Sequence, residues 1–214
     1  MEFSHELDQY IKTHIIPEED FLHELDRETH LTCVHPRMLS GHIQGKIVYM
    51  LCKMINPKRV LELGTYTGYS AISMGLALAD DAVVHTIELC DEQEEIISKF
   101  IEKSGLTNKI VCHYGDAKTI VPTLDEMFDL VFIDADKREY PAYYDLVFNK
   151  VKEGGYIIAD NILWDGKVVD PAEKNDPQTK GILAFNDKIK NDSRVENVIF
   201  PFRDGMMVIR KISS

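Results

Sequence analysis

The run Val60-Leu61-Glu62-Leu63-Gly64-Thr65-Tyr66-Thr67-Gly68-Tyr69-Ser70 constrains this chain more than any other stretch. It reads as a short buried strand, a tight turn and the start of a helix. Gly64 lacks a Cβ, so the backbone can turn sharply there and pass close to a ligand. Gly68 leaves the helix start uncrowded, with free N–H groups suited to polar or anionic ligand atoms. Glu62 breaks the G-x-G-x-x-G dinucleotide pattern, because a carboxylate at the strand end would repel a diphosphate at close range. The turn therefore points to a nucleoside carrying a cationic amine or sulfonium, such as S-adenosylmethionine.

The surrounding chain alternates in type. Apolar strand-like runs lie at 58–63, 83–88, 109–114, 128–134 and 155–160, and helices fit between them at 68–79, 91–104, 117–125 and 138–152. Asp91 with Glu94 fits a capping box, and Gly105 a helix terminator. Short apolar strands alternating with helices predict a mainly parallel sheet covered on both faces. A polar loop runs from 161 through Asp176, a helix follows near 177–190, and strands near 195–200 and 205–211 close the chain. Arg203-Asp204-Gly205 signals a hairpin, so the last strand should run antiparallel. Upstream, residues 3–13 and 18–30 look helical, and a Met-rich helix follows Pro36 and ends near Asn56-Pro57. Its apolar face (Met38, Leu39, Ile43, Ile47, Met50, Leu51 and Met54) suits packing or an oligomer contact better than a cofactor. The expected organisation is a helical extension over 1–57, acting as a lid or dimer arm, on a Rossmann-like α/β domain over 58–214.

Composition sets limits on partners. A chain of 214 residues with 44% apolar and 28% charged residues can bury a sizeable core. No apolar run is long enough to span a bilayer, and Met1-Glu2-Phe3-Ser4-His5-Glu6 lacks the basic and apolar regions of a signal peptide. The four cysteines form no C-x-x-C pair, which predicts reduced thiols in a cytoplasmic protein. A net charge of −12 disfavours nucleic acid as a partner.

Ligands of a doubly wound sheet gather outside the carboxyl ends of the strands. The first strand ends in Glu62-Leu63-Gly64. The second ends in Glu88, where a carboxylate can accept from both hydroxyls of a ribose. Gly115-Asp116-Ala117 after the third can reach an adenine edge. The fourth strand ends in Asp134-Ala135-Asp136-Lys137 and the fifth in Asp160-Asn161. If those two strands are neighbours, Asp134, Asp160 and Asn161 offer three oxygen ligands to a hard cation: Mg²⁺, Mn²⁺ or Ca²⁺.

These motifs resemble the class I S-adenosylmethionine-dependent methyltransferases, and more narrowly the cation-dependent catechol and caffeoyl-CoA O-methyltransferase family. The resemblance runs from Pro36-Arg37-Met38-Leu39-Ser40-Gly41 to the terminal hairpin. Its most specific pieces are Glu62 to Ser70, Asp134-Ala135-Asp136-Lys137 and Asp160-Asn161-Ile162-Leu163-Trp164. It implies a seven-stranded sheet with the last strand antiparallel. It also implies cofactor contacts at Ser40, Glu62, Gly64, Thr65, Ser70, Glu88, Ala117 and Asp136. The metal ligands it implies are Asp134, Asp160 and Asn161, and the catalytic lysine Lys137, with Asp134 beside it. Asp165 departs from the plant caffeoyl-CoA enzymes, which carry Asn at that substrate-contacting position.

The expected reaction is cation-dependent methyl transfer from S-adenosylmethionine to one hydroxyl of a catechol-type small molecule, in a cytoplasmic homodimer. Two other readings stay open at this level: methylation of 5-hydroxyuridine in tRNA, which the net charge disfavours, and a non-catalytic adenosyl-ligand binding protein.

Overall fold

The computed structural model describes residues 4–170, 173 and 175–213. Residue 3 of the first expected helix, and parts of the expected 161–176 loop, lie outside them. In chain order the elements are α1 (His5–His14), α2 (Asp20–Thr32), α3 (Gly41–Ile55), β1 (Arg59–Leu63), α4 (Tyr69–Ala77), β2 (Val83–Glu88), α5 (Glu94–Lys103) and β3 (Ile110–Tyr114). They continue with α6 (Ala117–Ile120), β4 (Phe128–Ile133), α7 (Tyr140–Phe148), β5 (Val151–Asp160), α8 (Pro177–Lys190), β6 (Val195–Phe200) and β7 (Met206–Lys211). The strands form a seven-stranded sheet in the order β3-β2-β1-β4-β5-β7-β6. The chain divides into two compact units, residues 59–64 with 117–213, and residues 4–58 with 65–116.

In the first unit β1, β4 and β5 are parallel, with Leu63 opposite Ile133 and Ile133 opposite Ala159. β7 runs antiparallel to both β5 and β6, as the hairpin signal predicts. The apolar residues of β1 and β4 are fully buried, and strands covered on both faces need such near-continuous apolar runs. One covering layer is aromatic. Phe185 of α8 meets the ring of Tyr140 edge-on at 5.5 Å and that of Tyr144 at 6.3 Å. Burying each such side chain contributes about 1.5–3 kcal/mol. Tyr144 reaches out of this layer to donate to Asp192 at 2.9 Å. Hydrogen bonds from Arg194 hold the Asp192 carboxyl far below its ordinary range.

The second unit pairs β2 with β3 in parallel and packs α3 on α4. Ile96, Ile97, Phe100 and Ile101 make the buried stripe of α5, and Gly105 follows that helix in the left-handed region, as expected of a terminator. Three local expectations fail. Asp91 and Glu94 form no capping box: Asp91–Gln93 is a 3-10 turn, and α5 begins behind Gln93 with no side-chain cap. The helix expected at 138–152 stops at Phe148, because Val151 already pairs with Phe128 in the sheet. The one expected at 117–125 is a single turn that Pro122 converts to 3-10 geometry. On α3 the buried face is Gln44, Gly45, Val48, Leu51 and Cys52, while Met50 and Met54 are 52% and 70% exposed. No disulfide joins the described cysteines, and no helix among the described residues is long and apolar enough to cross a membrane.

On β2 and β3, His85 Nδ1 and His113 Nε2 lie 3.0 Å apart with their rings stacked. Burial, and then the neighbouring His85, push the His113 pKa down. The folded state therefore favours the neutral ring. The stability this contributes is fully present above the unfolded value, about 6.5, and is lost as pH falls. Urea midpoints at pH 7 and pH 5 should drop further for the wild-type chain than for His113→Gln. Equal drops would contradict this.

Candidate active site

The strand order reverses between β1 and β4, both in the first unit, and the chain closes tightly there. Asp134 N donates to Leu63 O at 2.9 Å. Gly64 sits at φ +96°, and a Cβ on it would lie 2.1 Å from Asp134 O. No other residue fits where the two strand ends touch. Glu62, one position before Leu63, is fully buried.

The ends of β4 and β5 carry the densest chemistry. Lys137 opens a 3-10 turn after β4 and is only 7% exposed. Its ammonium donates to Asp134 Oδ1 at 2.7 Å and to the Tyr140 hydroxyl at 2.8 Å. Burial opposes the charge, but the attraction of Asp134, Tyr140 and Asp160 outweighs it and holds the Lys137 pKa above its ordinary value. A buried ammonium is tolerated because it is paired and hydrogen-bonded. Tyr140 is fully buried, and burial raises the pKa of its phenol, against the opposing pull of Lys137. Its hydroxyl faces Asp160 O at 2.9 Å and Ile133 O at 3.2 Å. One phenol thus ties the last residues of both strands to the lysine. The β4–β5 register sets Asp134 and Asp160 side by side, one step past Ile133 and Ala159.

Asp134, Asp160 and Asn161 together offer two carboxylates and an amide oxygen, a donor set that fits a hard cation. Asp160 is buried at 4% exposure, and Asn161 takes a left-handed φ of 58°, which turns it out of the strand. Among the described residues no group of three or more His, Cys, Asp or Glu side chains gathers as a metal centre. Asp136 is engaged locally. It accepts from Arg138 N at 3.0 Å and Arg138 Nε at 2.9 Å, and Arg138 holds its carboxyl below the usual range. Ala117, nearly buried, opens α6.

The second unit holds the other expected contacts. The Glu88 carboxylate is clamped by two backbone donors, Tyr66 N at 2.6 Å and Cys90 N at 2.9 Å. Thr65 and Thr86 hydroxyls share a 2.5 Å hydrogen bond, and Thr29 donates to Thr67 at 3.1 Å. Tyr66, at φ 53°, also donates its hydroxyl to His35 O at 3.0 Å. Ser70 lies in the first turn of α4 and Ser40 at the start of α3, both nearly buried. Sequence reasoning singled out neither Tyr140 nor Tyr66. The available signal for Tyr140 was an aromatic residue with a polar tip, three positions after Lys137 and directly before a helix-starting Pro141.

Tyr140→Phe removes the acceptor of one Lys137 N–H and the donor that meets Asp160 O, and should cost about 1–3 kcal/mol in urea unfolding. Gly64→Ala forces the Asp134 backbone away and should cost ~2 kcal/mol or more. Wild-type midpoints in either variant would contradict the described closure.

Comparison with known proteins gives the chain its family. The profile of a family described as O-methyltransferase matches residues 12–212. Caffeoyl-CoA O-methyltransferase of Petroselinum crispum is 36% identical, over 96% of this chain and 90% of that one. Caffeoyl-CoA O-methyltransferase 2 of Eucalyptus globulus is 37% identical, over 96% and 88%. Among solved structures, an O-methyltransferase from Bacillus cereus in complex with S-adenosylhomocysteine superposes with a TM-score of 0.90 at 29% identity, over 96% of this chain and 97% of that one. TomG of Streptomyces achromogenes, an O-methyltransferase involved in tomaymycin synthesis and solved with S-adenosylmethionine, gives 0.91 at 26%, over 97% and 96%. The chain belongs to the O-methyltransferase family and is an S-adenosylmethionine-dependent O-methyltransferase on the class I fold.

Proposed function

We propose that the chain transfers the methyl group of S-adenosylmethionine to one hydroxyl of a catechol-type small molecule, with a divalent cation, Mg²⁺ or a similar hard ion, held by Asp134, Asp160 and Asn161. The observation that carries this reading is the cluster of Asp134, Lys137, Tyr140 and Asp160 at adjoining strand ends. It gathers acidic oxygens and one ammonium, which suits a cation-held vicinal diol whose developing phenolate needs a positive neighbour.

In this reading Glu88, fixed by its two backbone donors, binds the ribose hydroxyls of the cofactor. Glu62 lends negative charge near the sulfonium. Gly64, Thr65, Ser70, Ser40, Ala117 and Asp136 complete the cofactor contacts, which requires Asp136 to exchange its Arg138 partner or share it. The acceptor oxygen attacks the methyl carbon as the carbon–sulfur bond breaks, and S-adenosylhomocysteine leaves. Lys137, held as the ammonium by Asp134 and Tyr140, steadies the phenolate once the hydroxyl proton has left to solvent, and it can take that proton itself only after losing its own. A bound cation supplies positive charge that lowers the pKa of the diol and orients it. The residues before 58 act as a helical extension of the same domain, and a cytoplasmic homodimer is the expected assembly. The exposed apolar side chains of Tyr10, Ile16, Met50 and Met54 support a contact role for that extension.

Methyl transfer to a panel of catechols, followed with labelled cofactor, tests the reading. EDTA should abolish turnover and added Mg²⁺ restore it. Lys137→Ala should lower kcat by about 10²–10⁴-fold, and Asp160→Ala should mimic EDTA. Full turnover in EDTA, or a fully active Asp160→Ala, would contradict the cation.

A further inference from the structure

The β6–β7 turn does more than close a hairpin. β5 and β7 pair regularly up to Asp160 opposite Met206. Asn161 then leaves the ladder in the left-handed region, and beyond the strands two loop hydrogen bonds still tie the chain to the hairpin turn. Ile162 N donates to Gly205 O at 3.1 Å, and Leu163 N donates to Asp204 O at 2.8 Å. The residue between the last ladder pair and these two loop bonds is extruded, and its left-handed backbone re-aims its side chain. Here the re-aimed side chain is that of Asn161.

The next corner is held by the same turn. Trp164 and Asp165 both take left-handed conformations, φ 46° and 54°. Side chains other than glycine stay there only where their surroundings over-determine the backbone. The Asp204 carboxylate does so by accepting from Asp165 N at 2.9 Å. From α8, Asn186 Nδ2 donates to Ile162 O at 2.9 Å, and Ile162 itself is fully buried. Gly205, at φ +79°, lets the turn seat against the loop, since a Cβ there would meet Leu163 Cγ at 2.4 Å.

We propose that Asp204 is a positioning residue of the active site. Through its carbonyl and its carboxylate it fixes the 162–165 loop, and through that loop the direction in which Asn161 presents its amide. The inference rests on the reading of Asn161 as a cation ligand. Without the Asp204 carboxylate the Asp165 corner relaxes to ordinary backbone conformations, and Asn161 loses one of the constraints that aim it. A group hydrogen-bonded directly to a ligand is worth about 10–100-fold in metal affinity, and Asp204, acting through the loop backbone, falls at the lower end of that range.

The test uses the full chain, Mn²⁺ as the probe and two variants. Asp204→Ala removes the acceptor, and Asp204→Asn keeps an oxygen at the same place. Asp204→Ala should weaken Mn²⁺ binding by about tenfold and raise the KM for the acceptor more than it lowers kcat. Its affinity for S-adenosylhomocysteine should stay at the wild-type level, and Asp204→Asn should recover most of the loss. Wild-type Mn²⁺ affinity in Asp204→Ala, a parallel loss of S-adenosylhomocysteine binding, or no recovery in Asp204→Asn would each overturn the proposal. If the wild-type chain itself binds no Mn²⁺, the cation reading fails, and hydrogen exchange still decides the clasp. Faster exchange of the Ile162, Leu163 and Asp165 amides in Asp204→Ala, restored in Asp204→Asn, supports it. Unchanged exchange overturns it.

Discussion

A buried ammonium organises the ends of β4 and β5. Lys137 is almost wholly buried, so its charge must be answered mainly by protein groups, and Asp134 and Tyr140 answer it. Truncating one partner of such a pair leaves an uncompensated charge in the interior, which is far more costly than the pair is favourable. The tyrosine that accepts from the lysine also spends its proton on the carbonyl end of β5, with the end of β4 close by. The lysine, the aspartate and the two strand ends are therefore a single linked arrangement.

Two close approaches make that arrangement possible. Gly64 admits the Asp134 backbone at the β1–β4 junction, and Gly205 admits the 161–166 loop against the terminal hairpin. The antiparallel β7 consequently has a structural role at that end of the sheet. A parallel strand next to β5 would bring no hairpin to that end of the sheet, and the loop after Asp160 would have nothing to lean on.

Much of this was legible in the chain. The strands at 83–88 and 195–200 have the expected bounds, because apolar runs closed by polar turn residues leave little choice. The strand-end carboxylates were visible too, since a parallel sheet puts its functional groups at one edge. What escaped detection was set by tertiary contact. The start of β5 at Val151 depends on pairing with Phe128 and lies before a Gly-Gly step that reads as a loop. The Asp91–Glu94 cap lost to a 3-10 turn, and Asp136 gained Arg138 as a neighbour two residues on. Tyr140 looked like core, and it is core, but its hydroxyl is the junction of the site. Spacing along the chain could not show that the phenol meets a carbonyl twenty residues away.

The central claim is that Asp134, Asp160 and Asn161 converge on one cation beside Lys137. The most direct test is a crystal of the full chain grown with S-adenosylhomocysteine and soaked in Mn²⁺, with anomalous scattering recorded at the manganese edge. The account predicts one strong peak bounded by oxygens of those three side chains. Absence of a peak there, or a peak held by other residues, would contradict it.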